Sequence, residues 1–287
     1  MKTKITVLMP CFNAERFLRN TLESVLSQKY DDFRVIVTDD GSNDNTAAIL
    51  EDYSDRITIL KHADNRNHGQ AAALNLGLLN TESEYIAFID ADDIWHPDKL
   101  AKQAAILDQF EDIGLVYTNG NVINSVGKEL YSMLDSQHVE TNERGSILFN
   151  CYIRTPSTVM VRREALLKAG MFKKDMLAAD HDMWIRMHEI TKFYYMPEKL
   201  AGYREHSAQI SRQKAITMWE DGLKVLNMAY RRYPYPASLI RKRRAVIYYR
   251  FGECALKNKN YASAAMYFIR TFINDPLRSV SELKNIL

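Results

Sequence analysis

Tyr85-Ile86-Ala87-Phe88-Ile89-Asp90-Ala91-Asp92-Asp93 decides how the rest of the chain is read. An uninterrupted apolar run ending in three carboxylates predicts a strand buried on both faces, of the kind found in parallel sheets covered by helices. In open α/β sheets ligands bind beyond the carboxyl ends of the strands. If the chain stays extended through Asp92, the two-residue period puts Asp90 and Asp92 on one side, aimed beyond the strand end. Crowded carboxylates repel unless they share a cation or a donor-rich ligand. The competing explanation is helix capping, since Asp is common before a helix and Pro97 suits a first helical position. One acid suffices for a cap. Three call for a further reason, and metal and nucleotide binding supplies one.

The flanking segments extend the pattern. Residues 5–9, 34–37 and 57–60 predict strands, and helices are expected after Asn13, after Asp44 or Thr46, and over residues 70–79. Residues 97–110 predict a further helix and 114–117 a further strand. Strand and helix in alternation imply right-handed crossovers, so the fold class is α/β, with a mostly parallel sheet flanked by helices. Residues 119–145 are polar and glycine-bearing and are expected as hairpin and loop. Residues 157–161 form a strand on this pattern, and 193–196 and 200–203 two short strands on either side of Pro197.

With 287 residues, 46% of them apolar, the chain can bury one sizeable core with an appendage. Lys+Arg 38 against Asp+Glu 36 leaves a net charge of +2, which does not mark a nucleic-acid binder. Cys11, Cys151 and Cys254 are distant, odd in number and without metal-ligand spacing, as suits a reducing cytoplasm. The apolar run before Pro10 is too short for a secretory signal and reads as the first strand. No run approaches the ~20 residues of a membrane span. Residues 222–252 contain no acid but gather arginines, which places a helical C-terminal region at 213–287 after a catalytic part at 1–212.

Asp39-Asp40-Gly41-Ser42 follows a strand as Asp90 does, either as an ordinary turn or as a second acidic strand end on the same crevice. Asp180 and Asp182 precede an expected helix, where capping competes with chemistry. His206 reads as a surface histidine or a ligand, and Phe12 as core or as a base platform.

Taken in order, residues 7–13, the Asp39–Ser42 turn, residues 73–77, Asp90-Ala91-Asp92-Asp93, residues 180–186 and Tyr203-Arg204-Glu205-His206 resemble the inverting family-2 glycosyltransferases of the GT-A fold. The resemblance covers roughly three-quarters of the chain. It implies a nucleotide-diphosphate sugar donor contacted by Pro10, Phe12, Asn13, Asp39, Asp40 and Asp90, with Phe12 and Asp40 at the base, Asp39 in support and Asp90 near the ribose. It implies Asp92 as ligand of a divalent cation, Mn²⁺ or Mg²⁺, with His206 completing the shell, and Asp180 as general base. The implied acceptor is a saccharide or lipid-linked hydroxyl, in bacterial cell-surface polysaccharide or lipopolysaccharide synthesis. Two positions depart from the family pattern: Ala179 stands where an acid is common, and Leu74 where an arginine is.

Two other functions compete. A sugar-phosphate nucleotidyltransferase shares the sheet but calls for a glycine-rich phosphate loop where Pro10-Cys11-Phe12-Asn13 stands. An inactive interaction protein fits the tetratricopeptide-like Tyr261-Ala262-Ser263-Ala264-Ala265, but a solenoid needs about three repeats. Arg241-Lys242-Arg243-Arg244 is either a solvated or acid-paired helix face, or a contact that holds the chain peripherally on an anionic inner membrane.

Overall fold

A computed structural model of the chain describes residues 3–207, 209 and 214–277. β1 (Ile5–Cys11), α1 (Leu18–Leu26), β2 (Phe33–Asp39), α2 (Thr46–Glu51), β3 (Thr58–Lys61), α3 (Gln70–Leu79) and β4 (Tyr85–Phe88) alternate as strand and helix. β1 pairs in parallel with both β2 and β4, and β2 with β3. The crossovers cover both faces of this block, which is why Ile5, Val7, Leu8 and Met9 are all buried whichever way they point.

Beyond β4 come β5 (Ile94–Trp95), α4 (Lys99–Gln109), β6 (Ile113–Ile123), β7 (Glu129–Ser132), α5 (Ser146–Phe149), β8 (Val159–Arg162), α6 (Arg163–Ala169), α7 (Ala179–His188) and β9 (Lys192–Arg204). The sheet order is β3-β2-β1-β4-β8-β6-β9-β5, with β7 paired to β6. β8 enters antiparallel between β4 and β6, so the parallel block carries the strand ends of interest and β8 closes its flank. This is the helix-flanked α/β sheet expected from the sequence.

Three local expectations change. β6 runs on through Ile123, because Asn119 satisfies its amide inside the fold: its Oδ1 accepts from the Gly120 and Leu134 N–H groups at 2.8 and 3.1 Å. The two short strands around Pro197 are one strand, β9, whose register against β6 jumps from Thr118↔Met196 to Asn119↔Lys199. Pro197 and Glu198 are looped out there, as a residue without a backbone donor requires. β4 ends at Phe88 rather than staying extended through Asp92, and the Asp93 N–H closes a turn on the Asp90 carbonyl at 3.1 Å.

α8 (Ala215–Arg232), α9 (Ala237–Lys257) and α10 (Tyr261–Asn274) form the C-terminal helical region. The expected boundary between residues 212 and 213 lies outside the described residues. Val225, Leu226, Ala229, Ile240 and Ile247 join the same apolar cluster as Phe88 and Trp184, so α8 and α9 pack into the core that supports the sheet. The basic run at 241–244 is divided: Arg241 and Lys242 are exposed, Arg243 is buried with Nη1 donating to the Phe149 carbonyl at 2.9 Å, and Arg244 leans toward Asn227. No helix of the described residues is long and apolar enough to cross a membrane.

Candidate active site

The carboxyl ends of β1, β2 and β4 point to one crevice. At the end of β1, Pro10 pairs with Thr38 inside the ladder, and just past the strand Phe12 stands exposed at the rim. Asn13 adopts φ 49°, an αL conformation that Asn tolerates well, and stitches two turns together. Its N–H donates to Ser42 Oγ at 3.0 Å and its Oδ1 accepts from the Asn43 N–H at 2.8 Å.

After β2, Asp39 accepts from the Ser42 N–H at 3.0 Å and has Lys61 Nζ 3.8 Å away. Asp40 accepts the His68 and Gly69 N–H groups at 2.8 Å, one on each oxygen, which clamps the 62–69 loop to the strand end. Gly41 makes this possible: its φ is +78°, and a Cβ there would lie 2.8 Å from the Arg66 carbonyl carbon.

After β4, the three acids separate in role. Asp93 is fully buried and accepts from Ser157 Oγ at 2.6 Å, Thr155 Oγ1 at 3.1 Å and the Arg204 N–H at 2.9 Å, so it ties the end of β9 to the end of β4. Asp90 accepts from Gln70 Nε2 at 2.6 Å and Thr155 Oγ1 at 3.1 Å. Asp92 lies 2.9 Å from His206 Nε2, and its backbone carbonyl takes the Arg204 Nε–H. None of the three caps α4, whose N-cap position is Asp98. Burial and the neighbouring Asp92 charge push the Asp90 carboxyl up to about 7, and burial with the Asp92 and Asp90 charges raises Asp93.

Asp180 and Asp182 lie within the first turn of α7 rather than before it. Asp182 is wholly buried and pairs with Arg186 Nε at 2.8 Å and Lys173 Nζ at 3.4 Å, so it is a structural anion. Asp180 accepts from the His181 N–H at 2.7 Å and borders a cleft of about 250 Å³. Burial raises its carboxyl above the ordinary range, and its charge is felt at Asp90.

His206 is the point where a metal can be tested. Its ring sits 5.0 Å from that of Phe17, and its Nδ1 is buried without a partner among the described residues. Among the described residues no three His, Cys, Asp or Glu side chains converge as a closed cage. Asp92 and His206 together fit an ion that takes its remaining oxygens from a diphosphate, since Mg²⁺-type sites use one or two carboxylates plus phosphates.

The family model for glycosyl transferase family 2 matches residues 6–170. Putative glycosyltransferase EpsE of Bacillus subtilis is 31% identical over 82% of this chain and 84% of its own length. The chain belongs to glycosyltransferase family 2. Amylovoran biosynthesis glycosyltransferase AmsB of Erwinia amylovora is 29% identical over 76% of this chain and 77% of that protein. An uncharacterized glycosyltransferase of Rickettsia prowazekii is 26% identical over 71% of this chain, a match that spans 65% of the relative's length. In fold, the chain is similar to a mannosyltransferase from Pyrobaculum calidifontis, solved in complex with GDP-Man and Mn²⁺, with TM-score 0.63 and 17% identity over 99% of this chain and 79% of that one.

Of the residues expected from sequence, Asp90, Asp92 and His206 meet beyond β4, Asp39, Asp40, Pro10, Phe12 and Asn13 line the neighbouring strand ends, and Asp180 approaches from α7. Leu74 and Ala179, the two departures, are buried in the core. Asn75 of the same segment clamps α3 to the loop before α7, exchanging hydrogen bonds with the Phe172 backbone at 2.8 and 2.9 Å. The sequence reading missed Gln70, Thr155, Ser157 and Arg204 as the residues that position the acids. Thr155-Pro156-Ser157 is legible as a capped turn, with Thr155 accepting from the Ser157 N–H, but its partners lie more than sixty residues away in the chain.

Proposed function

We propose that the chain moves a sugar from a nucleotide-diphosphate donor to an acceptor hydroxyl with inversion at the anomeric carbon. The observation that carries this is the convergence of acids from separate elements: Asp90 and Asp92 beyond β4, and Asp180 in α7, near enough for its charge to bear on Asp90. Phe12 and the Asp39–Asp40 turn take the base and Asp90 approaches the ribose. Asp92, with His206 beside it, holds Mn²⁺ or Mg²⁺. When bound, the ion supplies positive charge where the departing diphosphate gains negative charge. Asp180 accepts the acceptor's proton as its oxygen attacks from the face opposite the leaving group, and one displacement inverts the configuration. The GDP-Man complex of the structural neighbour supports a nucleotide-sugar donor and its Mn²⁺ supports a hard cation. The amylovoran relative supports a place in surface-polysaccharide assembly.

Asp180→Asn tests the assignment. Turnover is expected to fall by roughly 10²-fold or more while nucleoside-diphosphate affinity is kept, because an amide holds the shape but takes no proton. Only the deprotonated form of Asp180 works, so the wild-type rate rises with pH along an acid limb above the usual carboxylate value of about 4, given the raised carboxyl. Normal turnover in the variant places the base elsewhere. Asp182 is not the alternative, since both its oxygens serve Arg186 and Lys173.

We also propose that the chain works at the cytoplasmic face of the inner membrane. Arg241 and Lys242 are exposed, and α10 turns Tyr261, Met266, Ile269, Phe272 and Ile273 outward. Each charge near an anionic surface contributes ~1 kcal/mol. Flotation on phosphatidylserine vesicles at low salt is the measurement. The double change Arg241→Gln, Lys242→Gln is expected to reduce binding, and a wild-type chain that stays off the vesicles removes the membrane from the account.

A further inference from the structure

Phe17, the residue before α1, is a buried ring with two guanidiniums and an imidazole set around it. The guanidinium carbons of Arg16 and Arg204 each stand 4.8 Å from its centroid, and the His206 ring lies 5.0 Å away. His206 Nε2 in turn is 2.9 Å from Asp92 Oδ2, so Arg16 is one ring removed from the pair that fits a cation. The two arginines differ in what they have left to give. Arg204 is 2% exposed, and its Nε and Nη1 donate to the backbone carbonyls of Asp92, Asn124 and Ser125. Arg16 is exposed and has neither a hydrogen bond nor an ion pair among the described residues. The acids beside it are engaged elsewhere: Glu15 Oε2 accepts the Asn45 N–H at 2.9 Å, and the Asp44 oxygens accept the Thr46 and Glu15 N–H groups at 3.0 and 3.1 Å. These bonds fix the backbone before Arg16 to the turn after β2, whereas the Arg16 side chain is held by a ring contact, which is weak at an exposed site.

We propose that Arg16 grips the terminal phosphate of the donor's nucleoside diphosphate and so holds the leaving group as the sugar departs. The proposal rests on the transferase function above and adds a residue to its leaving-group site. A departing nucleoside diphosphate carries more negative charge than one divalent cation balances, and a positive group aimed at that growing charge favours its release. Arg204 lies in the same corner, but its Nε and Nη1 are turned to carbonyls. Arg16 brings a full charge and a planar fork of N–H donors that matches two phosphate oxygens. Its charge already reaches this corner: burial lowers the Arg204 guanidinium from its ordinary value, Asp93 and Asp92 oppose that, and Arg16 adds to it. The contact with Phe17 stations the Arg16 guanidinium next to the Asp92–His206 pair, and its weakness lets a phosphate replace it.

Comparing diphosphates with monophosphates isolates the contact. Calorimetry in Mn²⁺ with UDP, GDP, ADP, CDP and dTDP, each beside its monophosphate, is run on the wild type, Arg16→Gln, Arg16→Lys and Arg19→Gln. Arg19 is an exposed arginine of α1 that is paired with Asp52, so its removal controls for the loss of one positive charge. For the diphosphate that the wild type binds best, Arg16→Gln is expected to lower affinity by roughly tenfold or more and to leave the monophosphate within about twofold. Arg16→Lys should recover part of the loss, since it restores the charge without the fork, and Arg19→Gln should change neither affinity. No loss in Arg16→Gln, equal losses for diphosphate and monophosphate, or the same loss in Arg19→Gln overturns the proposal. A wild type that binds none of these diphosphates overturns the transferase reading itself, which keeps the two failures distinct.

Discussion

Two strand ends, after β2 and after β4, carry runs of acids that look alike in sequence and differ in how completely they are enclosed. Asp40 is 2% exposed, each of its oxygens already accepts a backbone N–H from the 68–69 turn, and His62 Nε2 lies 3.2 Å from one of them. The Asp92 side chain is 30% exposed and has His206 as its neighbour, itself carrying a buried nitrogen with no partner among the described residues. A carboxylate filled by backbone donors shapes a loop, whereas one left half open keeps acceptor capacity for a ligand. Position after a strand therefore does not make an acid functional. The donors that the fold brings to it do.

Asp93 sets the upper end of this comparison. Asp93→Ala takes the acceptor from Ser157 Oγ and the Arg204 N–H, while Thr155 keeps Asp90, and at 1–3 kcal/mol for each of the two donors left unsatisfied the loss is about 2–6 kcal/mol. Urea unfolding reads it as a lower midpoint. An unchanged midpoint would mean that the β4 and β9 ends do not depend on this acid.

Asp40→Ala comes next, at about 2 kcal/mol, because the part-buried backbone amides of His68 and Gly69 lose their carboxylate acceptor. Hydrogen exchange of the His68 and Gly69 amides should accelerate selectively, whereas uniform acceleration across the sheet would place the effect outside the loop.

The smallest effect on stability is expected for Asp92→Ala, under about 1 kcal/mol, since its hydrogen bond to His206 is partly exposed. Calorimetry with a nucleoside diphosphate then completes the contrast. The wild type should bind at least tenfold more tightly in Mn²⁺ than in chelator, a difference of about 1.4 kcal/mol or more, and the variant should show no difference. Equal wild-type affinity in both buffers would make Asp92 another loop clamp, and the two strand ends would then be alike.

What the sequence determined by itself was the alternation of apolar strands and amphipathic helices and the placing of acids at strand ends, because burial follows local periodicity and a strand's end is marked by where its apolar run stops. Ile5–Cys11, Phe33–Asp39 and Tyr85–Phe88 were legible on those grounds. The polar half of β6 was not, since Asn119 is satisfied by Leu134 from a later strand turn, and neither was the continuity of β9 past Pro197. The same limit applies at the site. Asp39, Asp40, Asp90, Asp92, Asp93, Asp180 and Asp182 are one residue type in similar local settings, and only tertiary structure separated the clamps Asp40, Asp93 and Asp182 from the half-open Asp92 and the cleft-facing Asp180. The physical reason is that a carboxylate's role depends on how many donors meet it and how much water it keeps, and those donors, from Thr155, Ser157, Arg204 and His206, arrive from parts of the chain that local pattern cannot connect.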